Sequence, residues 1–235
     1  MWGVLIGVLH AGVMRVAWKS FGEYQFIRFV PMAAVLVVEL TWTGYYFLRA
    51  LASTIQRAAG QPGVATLTLP VLVGVLAITV LEYALLLSLP QGQMDWSDWR
   101  ARLGFLYPRP IYRPLILMPL WGRWAMTLAM CIGRSAPDAS DRLRQMMSGI
   151  SMVRILAYWG LITAVTVLYT SGTANDLARG MAIGLGVILI AYMVSFSLGR
   201  AHGGQDEATV GTTGLAAQLG FLMLYLPCVA DVFRY

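Results

Sequence analysis

The stretch FVPMAAVLVVELTWTGYYFLRAL, Phe29 to Leu51, decides the fold class. It is apolar for long enough to cross a bilayer core, which takes about 20 helical residues, yet Glu39 stands well inside it. Two further runs repeat the pattern: Glu82 lies within Val71–Leu89, and Arg123 within Leu115–Ile132. A charge inside a membrane helix costs roughly 2.5–3.5 kcal/mol on insertion scales, so such residues face a bundle interior or a wet cavity and pair with one another. The chain therefore reads as a polytopic membrane protein with a polar interior.

Composition agrees. The 235 residues are 58% hydrophobic and only 12% charged, against about 25% charged in a soluble domain, and mean hydropathy is +0.67. The expected fold is an all-α helical bundle of six or seven transmembrane helices in one domain, 1–235. The spans fall at 29–51, 65–89, 115–132, 152–170, 180–198 and 212–233. The N-terminal run 2–18 is either a short first span or a helix in the interface; it lacks the basic start and small-residue cleavage site of a signal peptide. The expected location is an integral membrane, of the bacterial inner (cytoplasmic) type. Net charge is +6 and Lys19 is the only lysine. Arginines flanking apolar spans point to headgroup anchoring and topology, not to nucleic acid. Cys131 and Cys228 sit in apolar runs, which predicts neither a disulfide framework nor a cysteine metal site.

Between the spans, residues 90–114 mix Asp, Arg, Trp and Tyr in the manner of an interfacial amphipathic stretch. Ser135 or Asp138 is placed to cap a short helix running to Met147. Pro119 is expected to kink its span. Gly180, Gly184 and Gly186 supply small-residue spacing for close helix contact. No internal repeat is visible. Tyr45, Tyr46 and Trp42 read as interface aromatics.

Alternation of the spans puts loops 52–64, 133–151 and 199–211 on one face. Together they hold Arg57, Asp138, Asp141, Arg142, Arg144, His202, Asp206 and Glu207. Paired carboxylates beside arginines suit a phosphate or pyrophosphate bridged by Mg²⁺: oxygen ligands hold the cation and guanidinium forks hold the phosphate. On this reading Asp138, Asp141, Asp206 and Glu207 are the catalytic and metal-holding acids. Arg123, Arg134, Arg142, Arg200 and His202 meet the substrate. The glycines of Gly199–Gly204 would bring backbone N–H groups to an anion. The bland alternative is that these are solvated loop charges, and that Glu39, Glu82 and Arg123 form a buried structural ion pair or triad.

The second half of the chain resembles the membrane-embedded cobalamin synthases, the adenosylcobinamide-GDP ribazoletransferases. Leu117-Met118-Pro119-Leu120-Trp121-Gly122-Arg123-Trp124 is similar to that family's P-x-x-G-R span. His202-Gly203-Gly204 lies where the family carries a Gly-Gly segment. Thr209 to Leu219 looks like a degenerate form of its T-G-D-x-x-G-A motif. The family's acidic signature, D-G-x-A-D-x-x-D, has no counterpart between Ser53 and Leu106, and Thr212 stands at the motif aspartate. The resemblance implies a similar fold; for the family's activity, Asp138, Asp141, Asp206 and Glu207 would have to replace the missing acids.

Two functional classes follow from the sequence: a membrane transferase acting on a phosphate- or pyrophosphate-activated substrate, and a non-catalytic membrane subunit or assembly factor bound to membrane-protein partners or to its own copies. A small transporter is a third. It would show a polar path reaching Glu39 or Glu82.

Overall fold

The computed structural model describes residues 2–21, 29–60, 68–89, 108–170 and 176–230. These are helical almost throughout: α1 (Trp2–Phe21), α2 (Phe29–Trp42), α3 (Tyr46–Ala58), α4 (Leu69–Leu87), α5 (Tyr112–Ile132), α6 (Asp141–Ser148), α7 (Met152–Thr170), α8 (Asp176–Ala201) and α9 (Glu207–Ala230). Helices α4, α5, α7, α8 and α9 are long and apolar enough to cross a membrane, and α2 with α3 makes a sixth candidate if the pair is one broken span. The chain is an all-α integral membrane protein. Helix α1, carrying His10, Arg15 and Lys19, falls outside this group. Most of the interfacial stretch expected at 90–114 lies outside the described residues.

Helices α5 and α9 form the centre. Both are buried over most of their length, whereas α4, α7 and α8 leave long apolar faces open. The core joins Trp121, Trp124 and Leu117 of α5 to Phe221, Leu222 and Tyr225 of α9 and to Ile183 and Val187 of α8. Small residues set the close approaches. A Cβ on Gly214 would stand 3.2 Å from the Gly122 carbonyl, and one on Gly7 would stand 2.7 Å from that of Ile116. Gly3 faces Pro119 and Leu120, so α1 runs antiparallel along the first half of α5 on a Gly3/Gly7 stripe. Gly184 meets Thr163 as the small-residue spacing of α8 predicts, packing α8 on α7. Buried indoles cross-link the layers: Trp124 donates to the Ile155 carbonyl at 3.0 Å, and Trp121 to the Thr166 hydroxyl at 3.2 Å. In the apolar interior each such donor must find an acceptor.

Two local expectations change. The run 29–51 is not one straight span: it breaks at Thr43–Tyr45, and α3 leaves α2 at 75°. Gly44 and Tyr45 both take positive φ, 61° and 58°, which reverses the backbone hand for two residues and ends the helix. The short helix after α5 is capped not by Ser135 or Asp138 but by Ser140, whose hydroxyl accepts from Leu143 N at 3.2 Å. Helix α5 continues as one element through Pro119.

Candidate functional site

Helix α3 lies across the start of α9, and this crossing gathers loop-face side chains. Tyr46 donates its hydroxyl to the Glu207 carbonyl at 3.2 Å, and the hydroxyls of Thr54 and Thr212 are 3.0 Å apart. One turn on, the Arg57 guanidinium is paired with Asp206 through Nη1, while its Nη2 lies 3.2 Å from Asp138 Oδ2. Arg57 thus bridges two carboxylates carried by two different loops.

The ends of these loops are locked by backbone and caps. Gln205 N donates to the Arg134 carbonyl at 2.6 Å, and Ala136 N to the Gln205 carbonyl at 2.9 Å, a one-rung parallel bridge. The buried Gln205 side chain donates to the Ser195 carbonyl and hydroxyl at 2.9 and 3.0 Å and accepts from Thr209. Asp206 and Thr209 form a reciprocal cap: each side chain accepts from the other's backbone N–H at 2.8 Å. Glu207 Oε1 accepts from the hydroxyl and backbone N–H of Ser140, tying α9 to the cap of α6.

Three of the four predicted acids therefore come together, Asp138 and Asp206 directly on Arg57 and Glu207 beside them through Ser140. Asp141 does not join them. It opens α6 with a fully exposed side chain and, among the described residues, pairs only with Arg144, at 3.6 Å. Arg134, Arg142 and Arg200 are exposed around the cluster without an ion-pair partner among the described residues. The expected glycine anion cradle is not available as such: the N–H groups of His202, Gly204, Gln205 and Asp206 are spent on Leu198, Gly199, Arg134 and Thr209. His202 is half-buried. Among the described residues no three His, Cys, Asp or Glu side chains stand as a metal-holding group.

The second gathering lies inside the bundle. His10 of α1, Glu39 of α2, Glu82 of α4 and Gln218 of α9 are each no more than 3% exposed. Gln218 donates to Glu39 Oε1 at 3.1 Å. His10 Nε2 is 4.0 Å from Glu39 Oε2, and that oxygen has no hydrogen-bond partner among the described residues. Arg123 of α5 does not close the expected ion pair. Its guanidinium lies over the Phe47 ring, 5.1 Å from the centroid, within electrostatic but not bonding reach of Glu39. Both ring nitrogens of His10, Arg123 Nε and the Gln218 carbonyl oxygen are buried without a hydrogen-bond partner among the described residues.

Gln218 and His10 were given no part in the site by the sequence, and Arg57 was placed on the loop face without a role. The signal for Gln218 was present: it interrupts the otherwise apolar run Leu215–Leu226. That Arg57 bridges Asp138 and Asp206 needed the crosswise placement of α3, which no sequence pattern gives.

The chain matches no protein-family model, no curated protein and no solved structure.

Proposed function

We propose that the protein carries a small cationic solute, protons first among them, through a site inside the bilayer built from His10, Glu39, Glu82, Arg123 and Gln218. The observation that supports this reading is that four helices each send one buried polar side chain to the same place, with the half-buried Arg123 of a fifth beside them, and that several of these atoms have no partner among the described residues. Intramembrane ionisable residues are costly and mark solute or proton pathways, and an unpaired buried polar atom costs about 1–3 kcal/mol. A structural network would be expected to close its bonds; this one is open. The break between α2 and α3, four residues beyond Glu39, adds the broken-helix feature that transporters place at their binding sites. From there Arg123, Tyr46 and the Glu207 carbonyl lead to the loop face.

The test is proton flux into liposomes loaded with a pH-sensitive dye. The expected result is that the reconstituted protein dissipates an imposed gradient faster than empty vesicles. Glu39→Gln and Glu82→Gln should each lower that rate at least tenfold. Flux equal to that of empty vesicles, or untouched by both substitutions, sinks the reading.

A second reading, a membrane transferase for a phosphate-activated substrate, is favoured by Asp138, Asp206 and Glu207 gathering on a face where Arg134, Arg142 and Arg200 are exposed and have no ion-pair partner among the described residues. Mg²⁺ does not fit the donor set as it stands. Arg57 occupies the place between Asp138 and Asp206, and the remaining Asp206 oxygen caps Thr209, so no step is routed through a metal. Pyrophosphate with and without Mg²⁺ should raise the melting temperature of the wild-type protein but not of Arg142→Gln/Arg200→Gln. No shift in either condition removes this alternative.

A further inference from the structure

We infer that the groove between α1 and the start of α5 is a binding site for one acidic glycerophospholipid, its phosphate held by Arg15, Lys19 and Arg109. The groove encloses about 560 Å³, within the range of roughly 300–1,000 Å³ usual for ligand sites. On α1 it is lined by positions 8, 11, 12, 15, 18 and 19, which is one helical face. That face changes character along its length. Val8 and Gly12, with Ile116 of α5, make an apolar trough; Arg15 and Lys19 follow one and two turns later, and Arg109 stands just before α5 begins.

The order matches a phospholipid. From Val8 to Lys19 the helix rises roughly 16 Å, enough for part of an acyl chain and the headgroup above it. The cationic end coincides with the end of the α5 span, where headgroups lie, and Trp18 and Tyr112 line it there, as aromatics do at membrane interfaces. None of the described lining residues is acidic, and no ion pair among the described residues engages Arg15, Lys19 or Arg109. Basic pockets between membrane helices are suited to anionic headgroups. The trough is also vacant at its centre: a Cβ placed on Gly12 would meet nothing within 4 Å. That separates Gly12 from Gly3 and Gly7 of the same helix, which are filled by α5, and it leaves space where a lipid chain would run.

The experiment is native mass spectrometry of the full chain released from nanodiscs holding equal phosphatidylglycerol and phosphatidylcholine. The expected result is one retained lipid per chain with at least tenfold enrichment of phosphatidylglycerol. Arg15→Gln/Lys19→Gln/Arg109→Gln should abolish the enrichment. Gly12→Leu, which fills the trough and leaves every charge in place, should abolish retention of either lipid. Gly12→Ala serves as the control and should behave as wild type. Circular dichroism and gel filtration check the fold; if the triple variant fails to fold, the three single variants should each lower the enrichment severalfold. Equal retention of both lipids by the wild type, or enrichment indifferent to the charge variants, overturns the acidic-lipid assignment. Retention indifferent to Gly12→Leu overturns the groove as its place.

Discussion

At the scale of single residues, Asp206 does two separable things. One carboxylate oxygen caps Thr209, and the other pairs with Arg57. Asp206→Asn keeps an acceptor for the cap and removes the charge. Breaking a fully buried pair costs roughly 3–5 kcal/mol; Arg57 keeps a 26% exposed side chain, so water offsets part of the loss, and about 2 kcal/mol is expected. Asp206→Ala should lose about 1 kcal/mol more, the usual worth of a cap. Thermal melting in detergent should rank wild type above Asn above Ala. Asn and Ala melting together would mean that the cap contributes nothing. Gln205 offers a second case. Gln205→Leu strands the buried Ser195 hydroxyl, whereas the Thr209 hydroxyl keeps its bonds with the Asp206 backbone, and at about 1–3 kcal/mol for a stranded buried group it should melt near Asp206→Asn. The convergence of Asp138, Asp206 and Glu207 was legible because alternating spans force their loops to one face. The exclusion of Asp141 was not: it depended on Ser140 taking the cap of α6, which turns the next side chain outward.

At the scale of elements, the break in 29–51 shows what hydropathy cannot read. Summed apolarity runs smoothly from Phe29 to Leu51, and nothing in it registers backbone hand. Thr43-Gly44-Tyr45 carried the signal in its glycine. The stop at Tyr45 has a physical cost, since a side chain in the left-handed region is strained by about 1–2 kcal/mol, and the structure meets that cost to lay α3 over α9. Gly211 makes room for this crossing: a Cβ there would stand 2.5 Å from that of Ala50 and 3.0 Å from the Tyr46 ring. Gly44→Ala should therefore destabilise by about 1 kcal/mol. Gly211→Leu should do more, prying α3 from α9 and exposing Arg57 to solvent. Limited proteolysis within 46–58 checks this, with faster cleavage expected for Gly211→Leu than for Gly44→Ala. Identical cleavage of wild type and Gly211→Leu would show that α3 does not depend on the glycine. The Gly3/Gly7 stripe of α1 was equally visible in the sequence.

At the scale of the whole molecule, burial is arranged in reverse of a water-soluble bundle only at the rim. The centre, α5 with α9, is packed as any core is, with Trp121, Phe221 and Tyr225 fully enclosed. The outer helices instead leave Leu69, Leu72, Val73, Leu76 and Val80 of α4 exposed on one continuous side, together with Leu185, Leu189 and Met193 of α8. A monomer in water rarely leaves such a patch uncovered, whereas hydrocarbon covers it at no cost. This gives composition its physical meaning: 58% hydrophobic content exceeds what the interior holds, and the surplus lies on α4, α7 and α8. Leu76 tests the arrangement because its two possible surroundings predict opposite results. It is 60% exposed, so on a water-facing surface Leu76→Lys would change stability by less than about 0.5 kcal/mol. In the middle of a lipid-facing helix the same substitution should cost roughly 2.5–3.5 kcal/mol of insertion, a factor of about 100 in the insertion equilibrium. Leu76→Ala controls for the lost side chain. The fraction of α4 inserted, read by glycosylation of acceptor sites placed on either side of it, should fall sharply for Lys and little for Ala. Equal insertion of all three would place this face against water or a protein partner, and the helical bundle would then need a cover that lipid does not provide.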